Sequence, residues 1–396
     1  MKTTHYSAGI FTLSLLCLLS SIKVFSQQHQ LKVAVFAPIY IDSAFLGNNF
    51  KFTNATALPK NMLPGLDFYN GITLAIDSLQ AEHIQAEVLF YDTKDDAQPI
   101  SNILKKSEMN EVSLIIASFT NNKEMKPLAD FAATKKIPLI SATFPNDGGI
   151  VNNPYFIILN STLKTHCESL YKYLQRYYAT ENIVLLKRKG LIEDFIQTVF
   201  TQSGKTTPGI PLKIKPVQLN DTFTAQELLN NLDSNRKNVL ICATMNEAFA
   251  VNTVKILSTA SLQYTTTVVG MPNWENIKEL DNTGCKDVDI FYSTPYLFSR
   301  ADKEVNKFIA TYNATFSANP SEWAFKGFEA MYHFTKIVLD YGELSTHFLS
   351  EKKYKLFNDF SIQPVYNKYN KLSINYFENK KLYFIKKNSG KIKLIN

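Results

Sequence analysis

Short apolar runs alternate with stretches of helical periodicity along most of the chain. Leu31–Pro38 (LKVAVFAP) reads as a first strand. Gly65–Gln80 follows, with Tyr69, Ile72, Ala75, Ile76 and Leu79 at helical spacing. The same alternation predicts strand Ala86–Tyr91, helix Pro99–Met109, strand Val112–Ser118, helix Asn122–Lys135 and strand Ile137–Ala142. Alternating units of this length imply a parallel sheet covered by helices on both faces, with right-handed crossovers.

A second series begins after Asn152-Asn153-Pro154. Its helices are predicted at Leu163–Tyr178, Leu191–Gln202, Ala225–Asp233 and Asn246–Ser258. Its strands are predicted at Asn182–Lys187, Leu212–Val217, Val239–Ala243 and Thr265–Gly270. The fold class is therefore α/β, with two doubly wound lobes of similar size. Beyond Ser293 the order changes. Lys303–Phe316 and Ala324–Tyr341 are predicted helices, and Leu372–Phe377 with Lys381–Lys386 reads as a hairpin across Glu378-Asn379-Lys380. Residues 40–64, rich in Asn, Thr and Pro, read as a long loop over the sheet edge.

Composition narrows the class. The 396 residues are 45% hydrophobic and 19% charged, which provides for more than one core and excludes disorder over most of the length. The formal charge of +7 is spread as single lysines, without the concentrated basic stripe of a groove reader, so no nucleic-acid partner is expected. Residues 1–26 carry a weakly basic start, a short apolar run from Ile10 to Leu19, and Ser26 before Gln27-Gln28. That order predicts an export signal cleaved near Ser26 and a periplasmic or otherwise extracytoplasmic protein; acylation of Cys17 is disfavoured by the bulky Leu16 before it. The remaining cysteines, Cys167, Cys242 and Cys285, are too few and odd in number for a disulfide framework.

Enzyme signatures are missing. There is no GxxxxGK[ST] loop, HExxH, GxSxG or CxxC, and the six histidines lack metal-ligand spacing, so neither catalysis nor a cofactor is expected. The informative residues lie at the carboxyl ends of the strands, where open α/β sheets bind ligands. One strand end carries Ser118, Thr120 and Asn121 just before a helix; Asn121 with Glu124 resembles a capping box. Those hydroxyls and the free N–H groups of a helix start suit an anionic group, but capping alone explains the same residues. The next strand ends with Ser141 and Thr143. In the second half the ends carry Asn246 and Trp274, the latter either a stacking surface or a core plug. Tyr296 lies where the chain returns to the first half.

The segments LKVAVFAPIY, GLDFYNGITLAIDSL, VSLIIASFTNNKEMKPLADFAATKKIPLISAT, VLICATMNEAFAVNTVKIL and NPSEWAFKGFEAMYHF, in this order and spacing, resemble type I periplasmic-binding proteins. These are the branched-chain-amino-acid-binding kind that serve ABC transporters. DFYNGITLAIDSL is also similar to a Bacteroidetes branch often joined to peptidoglycan-binding LysM repeats. The resemblance implies two lobes joined by three crossing segments, near Pro154–Asn160, Tyr292–Tyr296 and Phe360–Tyr366. After the signal at 1–26, the first lobe would comprise 27–157 and 293–360, and the second lobe 158–292 and 361–396. It also implies that Ser118, Thr120, Ser141 and Thr143 hold a ligand's carboxylate and ammonium. Relatives often carry an acidic residue directly after the strand matching Val268–Gly270, where this chain has Met271-Pro272-Asn273. The expected function is an exported solute-binding protein for a small polar, amino-acid-like or amide-like ligand, with a membrane permease as possible partner. The alternative is a cell-envelope scaffold or regulator of peptidoglycan metabolism that holds a protein instead.

Overall fold

The computed structural model describes residues 31–47, 49–52, 58–389 and 391–395. The export signal and Cys17 lie outside them. The strands are β1 (Leu31–Ala37), β2 (Phe45–Leu46), β3 (Asn49–Phe50), β4 (Ala86–Asp92), β5 (Leu114–Ala117), β6 (Leu139–Ser141), β7 (Phe156–Ile158) and β8 (Asn182–Lys187). They continue with β9 (Ile214–Gln218), β10 (Asn238–Cys242), β11 (Thr266–Val269), β12 (Asp289–Thr294), β13 (Ile362–Tyr366), β14 (Ile374–Asn379), β15 (Tyr383–Asn388) and β16 (Lys391–Ile395). Two 7-stranded sheets result, ordered β13-β14-β7-β6-β5-β1-β4 and β16-β15-β12-β11-β10-β8-β9. In the first, six strands run parallel and β13 pairs antiparallel with β14; in the second, five run parallel and β15 pairs antiparallel with β12 and β16.

β1 shows why the sheet is covered on both faces. Successive side chains of a strand point to opposite sides. Val33, Val35 and Ala37 join a cluster with Phe68, Ile72, Met331 and Phe334, from the helices Leu63–Ala81 and Glu322–Tyr341. Ala34 and Phe36 join another with Met125, Leu128 and Ala129 of the Asn122–Lys135 helix. The helices Leu63–Ala81 and Glu322–Tyr341 approach closely where neither carries a side chain. A Cβ on Gly71 would stand 2.0 Å from the Ala324 carbonyl oxygen, and one on Gly327 would stand 2.4 Å from that of Phe68.

Two expectations need correction. The predicted helix Pro99–Met109 is an α-turn at Ile100–Ile103 followed by a 3-10 turn at Ser107–Glu111. Lys106 between them is extended, and the break lets Met109 bury completely. The predicted hairpin over 372–386 does not form. β14 pairs with β13 and β7 in the first sheet, whereas β15 pairs with β12 and β16 in the second. Residues 362–379 thus belong to the first lobe's sheet, and the third crossing is the short link after Asn379, not Phe360–Tyr366. The polar run Glu378-Asn379-Lys380 reads as a turn in one dimension, but it is the joint between lobes.

Buried hydrogen bonds tie that joint to the first crossing. Ser161 Oγ donates to the Asn379 carbonyl at 2.6 Å, and Asn379 Nδ2 donates to the Leu159 carbonyl at 3.3 Å. The Glu378 carboxylate accepts from Thr162 N at 2.8 Å, Thr162 Oγ1 at 2.9 Å and Lys380 Nζ at 2.6 Å. These donors hold its pKa below the usual carboxylate range against the opposing effect of burial. His166 beside them is buried with Nδ1 2.8 Å from Ser293 Oγ, and burial pushes its pKa down to about 4.

Candidate functional site

Of the polar strand ends predicted from sequence, those after β5 and β6 come together beside the crossings. Ser118 follows β5, and Ala142-Thr143 follow β6. Ser118 Oγ and Thr143 Oγ1 are 3.1 Å apart and both residues are buried. Ser141 is fully buried, and its hydroxyl has no hydrogen-bond partner among the described residues. Asn160 Nδ2, on the first crossing, donates to the Thr143 carbonyl at 2.6 Å. Tyr296, on the second crossing, donates its hydroxyl to the Ala142 carbonyl at 2.6 Å. Of the expected site residues, Ser118 and Thr143 therefore form a buried hydroxyl pair with Tyr296 bonded to the adjoining backbone, whereas Ser141 is buried apart from them.

Thr120 and Asn121 are held to a different task. Asn121 Oδ1 accepts from Lys123 N at 2.9 Å and Glu124 N at 3.2 Å, capping the Asn122–Lys135 helix. Glu124 folds back, so that Thr120 N and Thr120 Oγ1 each donate to its carboxylate at 2.8 Å. Lys94 completes the arrangement through an ion pair with Glu124 and a 2.7 Å bond to Thr120 Oγ1. The donors expected to meet a ligand carboxylate are thus already directed at an internal one. The capping reading prevails for these two residues.

Asn246 likewise caps the Glu247–Thr259 helix, accepting from Phe249 N at 2.8 Å. Trp274 is a core plug. It has 0% exposure within the second lobe's cluster, and its indole occupies the space where a Cβ on Gly270 would otherwise stand. Fully buried within the turn Pro272–Asn276, it offers no face to a ligand.

The same turn instead presents Glu275, which the sequence reading missed. Glu275 is exposed, and no cation lies within ion-pair distance among the described residues. Its charged neighbours are Glu322 and Lys326, at the start of the Glu322–Tyr341 helix of the first lobe. Loss of solvation in this recess and the like charge of Glu322 raise its pKa to about 6, opposed by Lys326 and the Thr294 hydroxyl. Lys326 is itself buried. Its Nζ bonds Glu322 Oε2 at 2.5 Å and stands 4.8 Å from the Tyr296 ring centre and 5.1 Å from that of Trp323. Glu322, Trp323 and Lys326 occur in the quoted segment NPSEWAFKGFEAMYHF, where i,i+4 spacing of Glu322 and Lys326 was the available signal. Nothing in one dimension placed them opposite Glu275.

Among the described residues, no group of three His, Cys, Asp or Glu side chains is arranged to hold a metal ion. No helix there is long and apolar enough to cross a membrane. Cys167, Cys242 and Cys285 are unpaired and buried; burial raises all three thiol pKa values, that of Cys242 to about 12.

Known proteins fit this geometry. A family profile described as "Periplasmic binding protein" matches residues 63–347. No curated protein sequence matches the chain. A structure from Rhodospirillum rubrum, provisionally assigned as a branched-chain amino acid ABC transporter, superposes with a TM-score of 0.65 at 14% identity, covering 92% of this chain and 100% of that one. A branched-chain amino acid ABC transporter periplasmic ligand-binding protein from Burkholderia xenovorans LB400 gives 0.63 at 12% identity, covering 93% and 95%. An ABC transporter substrate-binding protein from Desulfitobacterium hafniense, in complex with Leu, gives 0.55 at 10% identity, covering 92% and 100%. These likenesses establish a shared two-lobed fold.

Proposed function

Because this chain belongs to the periplasmic binding protein family, we propose that it is an exported, non-catalytic solute-binding protein that holds a small polar ligand between its lobes. The observation that carries this reading is the charged group assembled from both lobes: Glu275 of the second, with Glu322 and Lys326 of the first. Two carboxylates and one ammonium leave a net negative charge in a recess of reduced solvation. A ligand cation there would pair with the two carboxylates and offset their mutual repulsion. The neighbouring pair Ser118 and Thr143 supplies neutral hydroxyls suited to amide or hydroxyl groups.

Asn121 already accepts from the N–H groups of Lys123 and Glu124 at the Asn122–Lys135 helix start, and Glu124 accepts from Thr120 N before it. That argues for an amine bearing an amide or hydroxyl, in preference to a free α-amino acid. Ligand entry requires the lobes to part, and the crossings are the points at which they would turn. Delivery to an ABC-type transporter fits the printed names of the structural neighbours. The test is calorimetric titration of residues 27–396 with amino acids, amino-acid amides, short peptides and amines. Binding confined to cationic, amide-bearing solutes and weakened in Glu275→Gln supports the reading. Equal binding to free carboxylic acids lacking an amine overturns it.

One feature favours a second reading, a scaffold or regulator that binds an envelope protein. Tyr296 and Glu124 fill polar positions in the lobe junction that a solute would otherwise use. A flat response to the whole panel, with specific capture of an envelope partner, would favour it.

A further inference from the structure

A separate concavity of about 340 Å³ lies on the second lobe, away from the charged group described above, between the Leu163–Tyr177 helix and the third crossing. Its floor is aromatic. Tyr173 packs against Phe384 with ring centres 4.5 Å apart and against Tyr177 at 4.7 Å. Its rim carries Lys172, Arg176, Lys380 and Lys381 and no acidic side chain.

The counter-charges are the deciding feature. Only Lys380 is matched, by the buried Glu378 at 2.6 Å. Lys172 and Lys381 are exposed, and neither has an acidic partner among the described residues. Arg176 lies over the Tyr177 ring at 5.2 Å in the last helical turn, where the helix dipole favours a cation. A solvated basic helix face would scatter its charges outward. Here the cations come from two separate segments, with Lys381 Nζ resting 5.3 Å from the Tyr383 ring centre, and line one concavity with an aromatic floor, so charge and stacking can act on the same occupant.

We propose that this concavity is a second binding site, for a small organic anion that presents a phosphate or carboxylate on a flat ring-shaped body. The ring lies on Tyr173 and Phe384, and the anionic group is met by Lys172, Lys381 and Arg176. An occupant would touch both a second-lobe helix and the segment that joins the lobes.

The test uses 1-naphthyl phosphate as the probe, titrated by calorimetry into the mature protein, with inorganic phosphate and 1-naphthol as separate arms. The expected result is that the combined probe binds at least about tenfold tighter than either part and weakens as salt is raised. Lys172→Gln with Lys381→Gln should weaken it by about tenfold or more while the melting temperature and the binding of amine solutes stay unchanged. Glu275→Gln should leave naphthyl phosphate binding intact, which separates this site from the interlobe one. Unchanged affinity in the lysine double variant, loss in Glu275→Gln, or absence of probe binding at millimolar concentration would each overturn the proposal. Binding to phosphatidylglycerol vesicles without binding of the soluble probe would overturn it in favour of a membrane-facing surface.

Discussion

Glu329 offers a quantitative test of the junction's architecture. It projects from the Glu322–Tyr341 helix and is 1% exposed. Its Oε1 accepts from Phe357 N at 3.0 Å and Asn358 N at 2.6 Å, and its Oε2 accepts from Asn358 Nδ2 at 2.8 Å. Asn358 Oδ1 in turn accepts from Leu297 N at 2.7 Å, so the carboxyl indirectly holds the second crossing. Burial outweighs these donors and raises the Glu329 pKa to about 7. In the unfolded chain it titrates near 4.5. The folded state therefore binds the extra proton between those values, and stability must fall as pH rises through that window. At about 1.4 kcal/mol per pH unit, the loss is about 3 kcal/mol between pH 4.5 and pH 8.

Glu329→Gln removes the titration. Its Oε1 can still accept from both backbone N–H groups, but its Nε2 then faces Asn358 Nδ2, donor against donor. Turning Asn358 over would abandon Leu297 N. One unsatisfied buried group costs about 1–3 kcal/mol. The variant should thus be less stable than the parent at pH 4.5, and the gap should close or reverse by pH 8. Urea unfolding at both values, with equal m-values, measures the difference. A stability gap that is the same at pH 4.5 and pH 8 would refute the assignment of a raised Glu329 pKa and the linkage built on it.

Further outcomes follow from the site and the packing. Ser118→Ala with Thr143→Ala removes both members of a hydroxyl pair, which costs little stability because neither is left alone; ligand binding should be lost from a protein that still melts cooperatively, and retained affinity would sink the site assignment. Binding of a cationic solute should weaken about tenfold from pH 7.5 to pH 5 as Glu275 protonates with its pKa of about 6, and this dependence should vanish in Glu275→Gln. Gly71→Ala should destabilise by roughly 1–3 kcal/mol, measured as a lowered melting temperature, because its Cβ would stand 2.0 Å from the Ala324 carbonyl oxygen and the helices must part. Trp274→Phe should lower stability without altering solute affinity, whereas an affinity change would restore the stacking role.

Local pattern was enough for most of the elements and for the fold class. Asn122–Lys135, Asn182–Lys187 and Lys303–Phe316 fall where periodicity and capping place them. Such elements are set by side-chain spacing over a few turns, which one dimension records completely. That Ser118 and Thr143 follow neighbouring strand ends was legible for the same reason, and the structure brings their hydroxyls within 3.1 Å. Pairing across long separations was not legible. Glu378-Asn379-Lys380 has the composition of a hairpin turn, and only the competition between β7 and β15 for a partner makes it a crossing. Trp274 and Glu275 are adjacent in the chain, and a single 3-10 turn decides which is buried and which faces the other lobe. The charges proposed to meet the ligand come from residues about fifty positions apart. Their energies depend on desolvation and mutual distance, and both exist only once the lobes are packed.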